Sequence, residues 1–278
     1  MNDCACDSSI SFPQSLRILI SVRDMTEFRT VMPIGVDVID FKEPRSGPLA
    51  PVHRSIWSAA VDAVTAMQPA VRPRLSAALG DAADGVAAAS SVPWEFDDAK
   101  LGPGGCATTK RLWEHWDAAR SSLPPAVRLI AVAYADHHNA GSPPVPAVLE
   151  AAAQFGFTTV LIDSFDKSRW AWDEVDGETL VIWKRWCRRV GPDDESSTAM
   201  DLMLAGRLDF ATAGRLAANP LTRPTGFGFR GAACGGNRVD SIDPTACRAL
   251  VENLRSLDCD VSFRGGDGGR RRRGSVSS

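Results

Sequence analysis

Val36-Asp37-Val38-Ile39-Asp40-Phe41-Lys42-Glu43-Pro44 is a short apolar run that turns polar at Asp40 and Lys42 and is stopped by a proline. Side chains alternate along a strand, so Asp40 and Lys42 share one face two residues apart. A carboxylate and an amine on one face at the end of a β-branched run are the pattern of a parallel strand whose C-terminal end opens on a polar site.

Seven further runs of the same kind accompany it, so that strands are expected at 17–22, 36–42, 74–80, 94–101, 128–134, 158–163, 201–206 and 225–230. Ala/Leu/Arg-rich segments of helical character lie between them, at 56–66, 108–119, 145–155, 178–190, 212–218 and 246–257. Alternating strands and helices predict βα units on a parallel sheet. An open doubly wound sheet fits the pattern too. Eight strands with their polar residues gathered at the C-terminal ends favour closure into a single (β/α)8 TIM barrel, a fold that commonly takes about 250 residues. The chain has 278. The domain expected is 15–263, flanked by a polar segment, 1–14, and a tail, 264–278, with four consecutive arginines at 270–273. Neither end has the composition to bury a core, and the arginine run reads as a solvated tail.

Bulk properties exclude several classes of function. Charges nearly balance, 31 Lys+Arg against 34 Asp+Glu, so neither nucleic acid nor an anionic membrane is expected as a partner. No apolar run is long enough to span a bilayer and no basic leader precedes a hydrophobic stretch, which predicts a cytoplasmic protein. The seven cysteines are scattered and odd in number, as expected of reduced thiols. Cys4-Ala-Cys6 has no second pair of ligands, and no metal or cofactor is expected. Homo-oligomerisation is left open.

Of the 31 basic residues only five are lysines: Lys42, Lys100, Lys110, Lys167 and Lys184. Arginine scarcely ever loses its proton, whereas a lysine amine in a suitable environment can do so and form a Schiff base. Lysines kept at strand ends therefore call for a reason. The expected ends carry Asp40 and Lys42, Gly80-Asp81, Lys100, Tyr134-Ala-Asp136, and Asp163 followed by Lys167. Three lysines and the single tyrosine would converge on one rim. Crowded ammonium groups disfavour the charged form, so one amine could titrate near neutrality and attack a carbonyl while Asp40 moves protons. The last two ends, Gly206 and Arg230-Gly231, fall where barrels commonly bind phosphate, with Arg230 as a bidentate anion donor. The expected substrate is a small phosphorylated aldehyde or ketone. Cys234 reads as packing rather than nucleophile, and Trp113/Trp116 and Trp183/Trp186 as core anchors at helical spacing.

These strand ends, in order across residues 17–257, resemble the (5-formylfuran-3-yl)methyl phosphate synthases of methanofuran biosynthesis. The segments are Asp37-Val-Ile-Asp40-Phe-Lys42-Glu-Pro44, Leu79-Gly80-Asp81, Lys100-Leu-Gly102, Tyr134-Ala-Asp136, Ile162-Asp163 through Lys167, Leu204-Ala-Gly206 and Arg230-Gly-Ala-Ala-Cys234. The resemblance implies a metal-free barrel that condenses two glyceraldehyde-3-phosphate molecules, with Lys42 as Schiff-base lysine and Asp40 as its acid/base. It further implies Lys100, Asp163 and Lys167 as the remaining polar groups of the active site. Asp81, Tyr134, Asp136, Gly206, Arg230 and Gly231 would contact substrate or phosphate. Arg207 stands where the family carries a small hydroxyl residue and is the candidate for a phosphate contact of its own. Two other functions compete, a class I aldolase-like barrel acting on a different sugar phosphate and a non-catalytic scaffold that works through the arginine tail.

Overall fold

A computed structural model describes residues 15–65, 67–68, 71–168, 172, 175–188 and 199–264, and the side chains among them up to 258. The expected segment 1–14 and all of the expected tail 264–278 except Arg264, which ends the last helix, lie outside the described residues, the 270–273 arginines included. Eight strands form a closed barrel in chain order: β1 (Arg17–Val22), β2 (Val38–Phe41), β3 (Arg74–Asp81), β4 (Asp98–Gly102), β5 (Arg128–Tyr134), β6 (Thr159–Asp163), β7 (Asp201–Leu204) and β8 (Gly226–Phe229). Every pairing is parallel, and β8 closes on β1 with Arg17 opposite Gly226. The fold is the single (β/α)8 barrel.

The strands run as expected, with instructive differences at their starts. β2 begins at Val38, because the Asp37 carboxylate turns away to accept from Ile18 N–H at 2.7 Å and from Arg255 at 2.9 Å. β4 begins at Asp98 instead of 94. Trp94 lies in a turn, 70% exposed, while Phe96 packs against Phe41 and Trp57.

The helices are α1 (Met25–Val31), α2 (Arg54–Thr65), α3 (Ala82–Ala89), α4 (Thr109–Ser122), α5 (His137–Ala140), α6 (Val145–Phe155), α7 (Gly177–Arg188), α8 (Phe210–Ala218) and α9 (Pro244–Arg264). Three of them were not expected from the sequence. α1 is two turns long and depends on Asp24, whose side chain accepts from Glu27 N–H as N-cap. α3, Ala-Ala-Asp-Gly-Val-Ala-Ala-Ala, has no amphipathic period to read. Its Gly85 lets the helix press onto the sheet: a Cβ there would come within 2.1 Å of Leu101 Cδ1.

The pleat separates two cores. Ile18, Ile39, Phe41, Leu75 and Leu101 point outward under the helices. Leu19, Val38, Ala78, Ile130, Leu161 and Met203 point inward and plug the lower barrel. The next layer up, toward the C-terminal ends, is polar. Trp116 and Trp183 are buried as expected, whereas Trp113 is 36% exposed and only leans edge-on against Phe155. Among the described residues no helix is long and apolar enough to cross a membrane.

Candidate active site

Above the apolar plug, at the C-terminal mouth, lies a cavity of about 260 Å³ into which Lys42, Lys100, Asp163 and Lys167 all open. The three lysines selected by their scarcity thus meet in one place. Each follows from the period-two pleat or the first residues beyond it: Lys42 immediately after β2, Lys100 within β4, Asp163 ending β6, and Lys167 one short loop later.

Two buried ion pairs flank Lys42. Lys100 Nζ lies 2.7 Å from Asp40 Oδ2, and Lys167 Nζ lies 2.5 Å from Asp163 Oδ1. The Lys42 amine makes no ion pair or side-chain hydrogen bond among the described residues. Burial lowers its pKa to about 7; Asp163 and Asp40 pull it upward, and Lys167 and Lys100 push it down. Burial also lowers the Lys167 ammonium, against the opposing pull of Asp163. Burial alone would raise the Asp163 carboxyl, but Lys167 and Lys42 outweigh it and hold it below the usual carboxylate range. Asp163 Oδ1 also accepts from Ser164 N–H at 2.8 Å, while its buried Oδ2 has no partner among the described residues.

Asp40 sits differently from expectation. It is fully buried one pleat below Lys42, does not line the cavity, and is saturated by Ser76 Oγ at 2.9 Å, Ser21 Oγ at 3.0 Å and Lys100. The two residues separating it from Lys42 put it roughly 6–7 Å deeper along the strand. Lys100, and not Lys42, is its partner.

Several expected substrate contacts are engaged by the protein. Tyr134 O–H donates to Asp81 Oδ1 at 2.9 Å, and the same oxygen accepts from Gly104 N–H at 2.9 Å. This clamp holds the end of β4 and the loop after it, where a Cβ on Gly102 would come within 2.0 Å of Asp81 Oδ1 and one on Gly104 within 2.8 Å. Burial raises both groups, Tyr134 well above its ordinary value. Asp136 accepts from Phe165 N–H at 2.6 Å and Asp166 N–H at 2.8 Å, fastening the loop that carries Lys167. Arg230 is buried with all its N–H groups committed: bidentate to Glu27 at 2.7 and 3.1 Å, and to the carbonyls of Ser21, Arg238 and Asp240. It has no donor left for an anion, which corrects the expectation of bidentate phosphate recognition. Arg207, at φ +52°, directs Nη1 to the carbonyls of Lys167 and Ser168 at 3.1 and 2.5 Å.

Gly206, Arg207, Arg230 and Gly231 all line the cavity. Gly206 has φ +95°, and a Cβ on it would lie 2.5 Å from Ser164 N, so only glycine brings this backbone so close to the β6 end. Arg238, Asn237 and Ser21 also line the cavity but were not singled out from the sequence. Arg238 follows the Gly235-Gly236 turn without any strand pattern of its own. Its presence in a stretch longer than the resemblance leads one to expect was the available signal. Cys234 is buried, and burial raises its thiol, consistent with packing.

Comparison with solved structures shows the same architecture. The putative copper homeostasis protein CutC from Streptococcus agalactiae aligns with TM-score 0.55 and 7% identity over 77% of this chain and 97% of that one. An archaeal Rubisco gives 0.58 and 10% over 91% of this chain and 61% of that one. The Rubisco-like protein from Rhodopseudomonas palustris gives 0.55 and 12% over 93% and 66%. Such identities show the fold alone. Among curated proteins, none matches the sequence. Against protein families, residues 18–267 match the one described as 4-HFC-P synthase, a span that holds all three rim lysines and every strand of the barrel but for Arg17 at the start of β1. The chain belongs to the 4-HFC-P synthase family.

Proposed function

We propose that this synthase condenses two glyceraldehyde-3-phosphate molecules into (5-formylfuran-3-yl)methyl phosphate through an imine on Lys42. The observation that carries the reading is the Lys42 amine, buried at the cavity, without an ion-pair partner among the described residues, and lowered to about 7. At neutral pH about half of such an amine is available as a nucleophile, whereas an ordinary lysine near pKa ~10.4 is neutral in fewer than about one molecule in a thousand.

Attack on the aldehyde carbon gives a carbinolamine, and loss of water gives the iminium, an electron sink for the neighbouring carbon. Asp163, whose Oδ2 has no protein donor among the described residues, takes the proton from that carbon to give an enamine. The enamine adds to the second aldehyde, forming the carbon–carbon bond. Dehydration turns the phosphate-bearing end of the second triose into an enol phosphate, whose hydrolysis releases phosphate and leaves the formyl oxygen; attack of the neighbouring hydroxyl on the imine carbon closes the ring and expels the Lys42 amine. Atoms balance when two triose phosphates yield the furan, one phosphate and two waters. Lys100, backed by Asp40, and Lys167, backed by Asp163, return protons to the departing oxygens. The Gly206 and Gly231 backbones face the phosphate of the first substrate.

The test is intact-protein mass after borohydride reduction with glyceraldehyde-3-phosphate, for wild type and Lys42→Arg, with ultraviolet absorbance followed in parallel. An adduct confined to wild type, together with a furan chromophore, supports the reading. An adduct without the chromophore makes the protein a lysine-dependent aldolase for another sugar phosphate. No adduct at all overturns imine catalysis on this substrate.

A further inference from the structure

A second cavity, of about 450 Å³, opens beside the first at the barrel mouth. Its walls are the loop after β2 (Pro44, Arg45, Gly47, Pro48), Asn139 beyond β5, and Phe165 to Lys167 beyond β6. Two residues, Lys167 and Arg238, line both cavities. Their electrostatic positions differ. The Lys167 ammonium is held by Asp163. Arg238 is half-buried, and its guanidinium makes a single hydrogen bond among the described residues, Nη2 to Gly47 carbonyl at 3.2 Å, with no ion pair.

The contrast with its neighbours is informative. Arg230 lies eight positions earlier and has every N–H engaged, and Arg207 is turned onto two carbonyls. Arg238 has its remaining fork available at the wall between the two cavities. Burial disfavours its charge, while Asp163 and Glu43 favour it and Arg230 opposes it. A desolvated guanidinium in this situation gains most from a dianion with two oxygens for its fork. The carboxylate on the same wall, Asp166, accepts from Ser168 N–H and Oγ at 2.8 and 2.7 Å. Arg45 adds an exposed positive charge at the outer rim.

We infer that the outer cavity is the subsite of the second triose phosphate and that Arg238 binds its phosphate. This rests on the two-substrate reading above. Two phosphate dianions in one small basin would repel. A shared wall allows the first to sit on the glycine loops beside Lys42 and the second on Arg238, while the two reacting carbons meet past Lys167. Arg238 is then a residue that selects a phosphorylated electrophile, through contact with a group remote from the new bond.

Arg238→Gln tests the assignment through two readouts. Borohydride-trapped adduct at Lys42 is expected within about twofold of wild type, because the first substrate does not use Arg238. Furan formation is expected to fall about a hundredfold, the scale for losing one charged clamp. Arg238→Lys should recover part of it. Equal loss of adduct and furan, or no loss of either, overturns the assignment. Calorimetric titration with inorganic phosphate is independent of the imine: two phosphates per wild-type chain and one per Arg238→Gln chain are expected. Equal numbers for both proteins overturn the subsite. A wild type that forms no adduct sinks the Lys42 reading instead, and the phosphate count still decides Arg238.

Discussion

At the N-terminal mouth of the barrel the cations paired with strand carboxylates are arginines, and at the C-terminal mouth the cations paired with strand carboxylates are lysines. Arg17 pairs with Asp201, and Arg74 and Arg128 converge on Asp98 at 3.1 and 2.8 Å, with the arginine side chains 33–46% exposed. Lys100–Asp40 and Lys167–Asp163 are similarly short, yet their side chains are no more than 10% exposed, and Lys42 stands between them. Guanidinium groups at a wet rim keep their charge and act as braces. Amines taken out of water can exchange a proton, and at Lys42 burial, helped by the charges of Lys167 and Lys100, makes the amine yield it. The ends of one barrel therefore carry similar charges in different surroundings, a wet bracing ring below and a buried amine cluster above, the latter being where the proposed chemistry would run.

The largest test of that contrast is Lys42→Arg, which keeps the charge but removes the exchangeable amine. Furan formation should drop by on the order of 10⁴-fold or more, as when a nucleophile is deleted. A variant retaining a tenth of the activity would abolish the distinction between the ends.

Next comes Asp40→Asn. It leaves the Lys100 ammonium buried without its carboxylate, which should destabilise the fold by about 3 kcal/mol, measured by urea unfolding. Combining it with Lys100→Met should restore most of the stability but none of the activity. If the double variant stays as unstable as the single, the pair is not what holds this layer.

The pH dependence sharpens the comparison further. The neutral amine attacks, so the rate of borohydride-trapped adduct formation should rise with pH through about 7 and then level off. In Asp40→Asn the midpoint should move to lower pH, because the Asp40 charge favours the protonated amine. The folded pKa is depressed, so above about 7 the unfolded chain keeps a proton the folded amine has released. Wild-type stability relative to Lys42→Met should therefore climb from pH 7 toward the ordinary lysine value. A flat difference would place the Lys42 pKa near that of a solvated lysine.

The smallest effect is expected at the other mouth. Arg128→Ala breaks a half-exposed pair and should cost about 1 kcal/mol or less in thermal or urea unfolding, with furan formation within about twofold of wild type. A large loss of activity would mean that the lower ring does more than brace.

Much of this was legible in the chain. β-branched runs ending in polar residues located all eight strands, and lysine scarcity in an arginine-rich sequence selected Lys42, Lys100 and Lys167 before any geometry was known. Polar strand ends differ in how far the protein itself engages them. Tyr134, Asp81, Asp136 and Arg230 end strands or begin loops just as the lysines do. They hold the loops in place, because their partners are Gly104, Phe165, Asp166 and Glu27, residues that no spacing rule associates with them. α3 was missed: small residues without periodicity become a helix when a sheet offers a surface that only small side chains can approach.

The sequence by itself determined the number and polarity of the βα units and which residue types could do amine chemistry. These depend on the two-residue pleat and on side-chain functional groups, which are local. Only the tertiary structure decided which of those groups face the cavity, that Asp40 stands beneath Lys100, and that Arg238 comes to the wall beside Lys167. Barrel closure and the long-range hydrogen bonds determine those positions, joining residues more than two hundred positions apart, as Arg230 with Ser21 and Glu27 shows.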